Sequence, residues 1–147
     1  MTLDVDLVLV PVDGSDASAT AAEYAVAVAE KYDADVHALY VLDDQVARDI
    51  EAGTVEEAAV ADDVRAFVDD IRELAPDTVD VKSTTANAFS TTRKRTTPGD
   101  VILDTAEAVD VDFLVVPHDT TETTAPSILE KAAEHVLLYA SQPVLSV

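Results

Sequence analysis

The sequence predicts an α/β fold, a Rossmann-like doubly wound sandwich in which four helices flank a five-stranded parallel sheet. Two short apolar runs, Leu7–Val12 and Phe113–Val116, show no polar alternation, which is typical of strands buried on both faces. The segments between the apolar runs carry apolar residues at helical spacing. The resulting order, βαβαβαβαβ, favours a parallel sheet with helices on both faces.

The first strand leads directly into a turn that contains an acid, a glycine and a serine. Gly14 permits a sharp turn, and Ser15 or Asp16 can cap the helix predicted to follow over Ala17–Lys31. The N-terminus of such a helix presents free N–H groups and a partial positive charge, so α/β proteins commonly bind ligands there. Asp13 is therefore predicted to lie at the mouth of any site at the carboxyl ends of the strands.

The remaining elements follow from periodicity and from helix start signals. Further strands are predicted at Asp35–Leu42, Val79–Ser83, Phe113–Val116 and Pro143–Val147. Further helices are predicted from a capping box at Thr54–Glu57 to Pro76, from Pro98 and from Pro126, whereas 43–53 is expected to be irregular at its start. The alternating third strand and the short last strand are expected at the two edges of the sheet. The chain, 1–147, is predicted to form one domain.

Composition points to an unusually acidic protein. Thirty acids against nine bases give a formal net charge of −21, although 48% of the residues are hydrophobic, which argues for a folded domain. We interpret the charge as that of a halophilic protein in a salt-rich cytoplasm, because the Debye length falls to roughly 3 Å at 1 M salt. The alternative is an ordinary acidic protein with a solvated surface. Either interpretation disfavours nucleic acid as a partner, since phosphates would meet negative charge.

Several motifs resemble the universal stress protein family along nearly the whole chain. They are Val10–Ser15, Val36–Val41, Phe113–Val116, Ala132–Leu137 and Gln142–Val147. The resemblance implies an adenine nucleotide α-hydrolase-like fold and a homodimer. It also implies a site for a small polar ligand at the carboxyl ends of the strands. No apolar run is long enough to span a membrane and no signal peptide is evident, so we expect a cytoplasmic protein without a membrane partner.

The sequence departs from the family in one loop. Members that bind ATP carry Gly-x2-Gly-x9-Gly-(Ser/Thr) after the fourth strand, whereas this chain aligns Pro117, Thr120, Glu130 and Lys131 with those four positions. Pro117 has no N–H to donate to a phosphate, and Glu130 adds a negative charge. The resemblance therefore implies the branch that does not bind ATP in the usual way. ATP or AMP stays possible as a cofactor but is disfavoured.

Five residues are candidates for ligand binding. Asp13 and Val41 stand where ATP-binding members contact the base and ribose side, although Asp13 can equally be a turn acid and Val41 a core residue. Arg93, Lys94 and Arg95 could form an anion clamp that replaces the lost glycine loop, since arginine binds phosphate bidentately, and Lys131 is an alternative group to neutralise phosphate. The competing interpretation is that the two arginines pair with the chain's own excess acids.

The sequence supports no catalytic residue and no metal site. A metal or hydrolytic cluster of Asp13, His118 and Asp119 is a weaker possibility. The predicted function is that of a universal stress protein, a stress-response or regulatory module that binds a small ligand or a protein. The alternative is a nucleotide-binding member with weak ATPase or other phosphate-handling activity. The last strand, Val144–Val147, is predicted to pair with its copy across a two-fold axis, because an uncovered apolar edge favours strand addition.

Overall fold

The computed structural model describes residues 4–42, 44–87, 98–117 and 128–147. Within these residues the strands are β1 (Leu7–Val12), β2 (Asp35–Leu42), β3 (Val81–Asn87), β4 (Phe113–Val116) and β5 (Val144–Ser146). The helices are α1 (Asp16–Tyr32), α2 (Asp44–Glu51), α3 (Glu57–Leu74), α4 (Pro98–Ala108) and α5 (Ile128–Tyr139). No helix in the described part of the chain is long and apolar enough to cross a bilayer.

The sheet has the predicted architecture. Its strands lie in the order β3-β2-β1-β4-β5, and each neighbouring pair is parallel. The fold class is confirmed, as are the two edge positions of β3 and β5. β1 and β4 are neighbours, with Val8 opposite Phe113 and Leu9 opposite Leu114. The strand order reverses between β1 and β4, and this is where doubly wound sheets form their ligand crevice.

Two local predictions between β2 and α3 are wrong. The segment expected to be irregular forms the additional helix α2, so the described residues hold five helices rather than four. The capping box at Thr54 does not form, because α3 begins at Glu57 with Glu56 as its N-cap and no side chain caps it. The N–H of Thr54 instead donates to the Asp49 carbonyl at 2.9 Å, so this residue completes the end of α2.

The core consists of two layers, one on each face of the sheet. β1 shows the alternation clearly, because Val8, Val10 and Val12 belong to one layer and Leu9 belongs to the other. Small residues of α1 and Ile71 of α3 fill the first layer. Buried residues of α4 and α5 fill the second. Burial of β1 on both faces from Val8 to Val12 explains why its sequence lacks polar alternation.

Candidate functional site

The turn between β1 and α1 is held together by its own side chains. Asp13 Oδ1 accepts a hydrogen bond from the Ser15 N–H at 3.0 Å, which closes the turn around Gly14. Ser15 Oγ accepts the Ser18 N–H at 3.2 Å and caps α1. The buried Ser18 hydroxyl in turn donates to the Ser15 carbonyl at 2.9 Å. One oxygen of the Asp13 carboxylate is therefore committed to the local backbone, as expected for a turn acid.

The side chain of Tyr40, on the neighbouring strand β2, packs against the turn. Gly14 has a φ of +85°, and a Cβ built on it would lie 2.6 Å from the Tyr40 hydroxyl. Glycine is required twice, because its φ is strained for other residues and because the hydroxyl occupies the space of a side chain. Tyr40 itself is oriented by an edge-to-face contact with Phe67 of α3, with ring centroids 5.9 Å apart.

The environment of the Tyr40 hydroxyl is apolar and negative. Burial raises the pKa of Tyr40 above its usual value, and the nearby carboxylates of Asp13 and Asp63 raise it further. At neutral pH the phenol is protonated, as tyrosine is at its usual pKa of 10.0, and so keeps its hydrogen-bond donor. Sequence reasoning placed Tyr40 only within a strand, because the contact with the turn depends on the register of β2 against β1, in which Val12 lies opposite Tyr40.

Two of the five predicted ligand residues, Asp13 and Val41, have side chains that the structure describes. Val41 is 1% exposed and packs in the core layer with Leu39, as its core interpretation requires. Asp13 is partly exposed at the end of β1. Arg93 and Arg95 lie outside the described residues, and nothing is described of the Lys131 side chain.

The other residues that the sequence singled out near this site are also described only in part. Pro117 is buried directly after β4, at the predicted crevice. His118 and Asp119 lie outside the described residues. Within the ranges that the structure describes, no group of three His, Asp or Glu side chains is arranged to hold a metal ion.

The structure gives two histidines partners that the sequence did not reveal. His37 Nε2 lies 3.0 Å from the Thr84 hydroxyl across the β2–β3 pair, and burial with the nearby Lys82 charge lowers the pKa of His37. His135 Nε2 lies 3.0 Å from Asp100 Oδ1, which links α5 to the first turn of α4. Both contacts join residues far apart in the chain, so no local pattern could have indicated them.

A separate cavity of about 690 Å³ lies between α2, α3 and the edge strand β3. Leu42, at the end of β2, lines it, but Asp13, Tyr40 and Val41 do not. Sequence reasoning did not anticipate this cavity, because it depends on how α3 packs against an edge strand.

Comparison with known proteins identifies the family to which this architecture corresponds. The model of the universal stress protein family matches residues 5–147. A universal stress protein from Lactobacillus plantarum aligns with a TM-score of 0.69 and 24% identity, covering 99% of both chains. A universal stress protein in complex with cAMP aligns with a TM-score of 0.64 and 19% identity, covering 98% of this chain and 97% of the other.

A third solved structure, from Archaeoglobus fulgidus and in complex with dAMP, gives a TM-score of 0.58 at 17% identity, covering 99% of this chain and 98% of that one. At such identities the structural similarity establishes the fold alone. Curated protein sequences gave no significant match. Because the family model extends from residue 5 to the last residue, the chain belongs to the universal stress protein family.

Proposed function

We propose that this protein is a homodimeric, cytoplasmic stress-response or regulatory binding module that does not bind ATP in the usual family manner. One domain spans the chain, and the composition suits a halophilic cell. Pro117 is the observation that carries the proposal. It is buried directly after β4, where ATP-binding members have their first phosphate-loop glycine, and it has no N–H to donate. A ring at this position also removes the conformational freedom with which glycine lets backbone approach a phosphate.

The β1–α1 turn supports the same proposal. Asp13 stands where ATP-binding members contact the base and ribose side, and because one of its oxygens accepts the Ser15 N–H, that oxygen is already engaged. The Tyr40 hydroxyl fills the space over Gly14. The net charge of −21 adds a general repulsion toward triphosphates at low salt.

The proposed dimer uses the edge strand β5. In the described part of the chain β5 pairs with β4 alone, so its other edge is open to a second copy. Leu138 is 76% exposed and Tyr139 is 67% exposed at the end of α5, shortly before β5 begins. Exposed apolar side chains and a strand edge without a described partner both favour association with a second copy across a two-fold axis.

The dimer is tested by light scattering after size-exclusion chromatography in molar KCl. Leu138→Asp is expected to shift the mass from dimer toward monomer. Leu74→Asp is the matched control, because Leu74 is also exposed, at 51%, but lies at the end of α3 on the other side of the sheet. A monomeric wild-type protein would refute the dimer, and equal effects of both variants would refute the assignment to the β5 edge.

The nucleotide proposal is tested by calorimetry with ATP, AMP and cAMP in molar KCl with magnesium. We expect no saturable heat at high protein concentration. Saturable binding by wild type would contradict the proposal. Two variants would then test whether the ligand lies at Asp13. Asp13→Asn removes the carboxylate charge, while its amide oxygen can still accept the Ser15 N–H, so a loss of binding would come from the charge. Asp16→Asn makes the same charge change on the exposed first turn of α1 and serves as the control.

A second candidate function is a nucleotide-binding member with weak ATPase or other phosphate-handling activity. This candidate is supported by two structurally similar universal stress proteins that were solved in complex with cAMP and with dAMP. In this version Asp13 positions the ligand, and Arg93, Arg95 or Lys131 neutralises its phosphates. Saturable binding and magnesium-dependent phosphate release, both lost in Asp13→Asn but kept in Asp16→Asn, would select this candidate over the first.

A further inference from the structure

The cavity of about 690 Å³ beside the edge strand has the form of a ligand cleft rather than a packing gap. Its volume falls within the ~300–1,000 Å³ typical of sites for small organic molecules. One wall is the valine stripe of α3, formed by Val60, Val64 and Val68. Ile50 of α2 and Leu42 of β2 extend this apolar surface.

The opposite wall is polar and comes from β3. Val81, Ser83 and Thr85 face the same side of the sheet, because strand side chains alternate. Val81 is buried in the core layer against α3, whereas Ser83 and Thr85 are exposed and line the cleft. The packing between α3 and β3 therefore opens toward the carboxyl end of the strand. A bound molecule would meet valines on one side and two hydroxyls on the other.

The two arginines in the lining are already engaged. Arg72 Nε donates to the Val81 carbonyl at 3.1 Å, and its NH1 group pairs with Asp69 at 3.2 Å. Arg65 pairs with Asp62 at 3.4 Å. The positive charges of the cleft are thus balanced by neighbouring carboxylates of the same helix.

Two carboxylates of the lining remain available. Glu51 ends α2 and Glu57 begins α3, so both line the cleft on either side of the connection between these two helices. Among the residues that the structure describes, neither side chain has an ion-pair or hydrogen-bond partner. The charge of −21 on the whole chain also draws cations toward the surface.

We propose that this cleft binds a small organic cation with an apolar body. The apolar body packs on the valine stripe, the hydroxyls of Ser83 and Thr85 line the opposite wall, and the ammonium group lies at Glu51 and Glu57. The site is independent of the β1–α1 turn, because Asp13 and Val41 do not line the cleft. Its test therefore does not depend on whether a nucleotide binds.

Three probes with one common body test the proposal: phenylbutylammonium, phenylbutanol and phenylbutyrate. Each is titrated into the full chain at the lowest KCl concentration that preserves the folded circular dichroism spectrum, with amide NMR shifts as the readout. The largest shifts are expected in Val60–Val68 and Ser83–Thr85. Two rim carboxylates are expected to make the ammonium bind about five-fold tighter than the alcohol, and the carboxylate should bind weakest.

Two pairs of substitutions separate local charge from total charge. The double variant Glu51→Gln and Glu57→Gln is expected to remove the five-fold advantage of the ammonium. Glu23→Gln with Glu30→Gln makes the same change in net charge on exposed positions of α1 and should leave the advantage intact. Ala61→Phe, at an exposed position of the lining, should weaken the ammonium and the alcohol alike by filling the cleft.

Four outcomes would overturn the proposal. They are the absence of saturable shifts, shifts centred outside the cleft, phenylbutyrate binding as tightly as the ammonium, and equal losses in the two double variants. Three results together would establish the proposal. The shifts saturate in the cleft, the ammonium binds tightest and the carboxylate weakest, and only the Glu51 and Glu57 double variant loses the advantage of the ammonium.

Discussion

Substituting Gly14 by alanine tests the contact between the β1–α1 turn and Tyr40. The φ of +85° costs an L-residue about 1–2 kcal/mol. The new Cβ would also lie 2.6 Å from the Tyr40 hydroxyl, and relieving such overpacking typically costs a further ~1–3 kcal/mol. Gly14→Ala is therefore expected to lower the free energy of unfolding by about 2–5 kcal/mol.

Tyr40→Phe separates the backbone strain of Gly14→Ala from the clash with the Tyr40 hydroxyl. Once the hydroxyl is removed, the nearest atom of that ring is Cζ at 3.7 Å from the Cβ position, an ordinary van der Waals distance. In the Tyr40→Phe background Gly14→Ala should cost only the backbone strain, about 1–2 kcal/mol. The double-mutant cycle should thus give a favourable coupling energy of about 1–3 kcal/mol, measured by urea unfolding in molar KCl.

Gly53 supplies the matched control within the same chain. It has a φ of +76°, but a Cβ built there would meet nothing within 4 Å. Gly53→Ala should therefore cost about 1–2 kcal/mol in both backgrounds. If Gly14→Ala costs the same with Tyr40 and with Phe at position 40, the hydroxyl does not occupy the space over the turn and our account of the site is wrong.

Three further predictions concern a helix cap and two titrating groups. Asp33 ends α1 with a φ of 56°, which strains an L-residue, so Asp33→Gly should raise the free energy of unfolding by ~0.5–1 kcal/mol, measured by urea unfolding. Asp33→Asn makes the same charge change and should raise it by less. The pKa of His37 is lowered from 6.5, so the unfolded chain binds more protons and stability should fall as pH drops below 6.5. This fall should be smaller in His37→Gln, followed by unfolding at stepped pH, and an unchanged slope would contradict the assignment. The pKa of Tyr40 is raised from 10.0, so stability should fall as pH rises above 10.0, and less steeply in Tyr40→Phe.

Elements with strong local patterns were predictable from the sequence. β2 is found at Asp35–Leu42 as predicted, and α4 begins at Pro98 as its proline indicated. By contrast, α2 was missed because Val46 and Ile50 alone give too little helical periodicity. The capping box failed because the Thr54 N–H bonds to the end of α2, so two local signals, the end of one helix and the start of the next, competed at one residue.

The sequence by itself determined the family, the succession of the five strands and the place of Asp13, because each depends on short motifs of neighbouring residues. A strand, a glycine turn and a capped helix in succession bring Asp13 to the carboxyl edge in any fold of this class. Only the tertiary structure decided that Tyr40 covers Gly14, that His37 meets Thr84 and that a cleft opens beside β3. These contacts depend on strand register and on the angle at which a helix packs, and such geometry arises from the summed burial of the whole core rather than from any one segment.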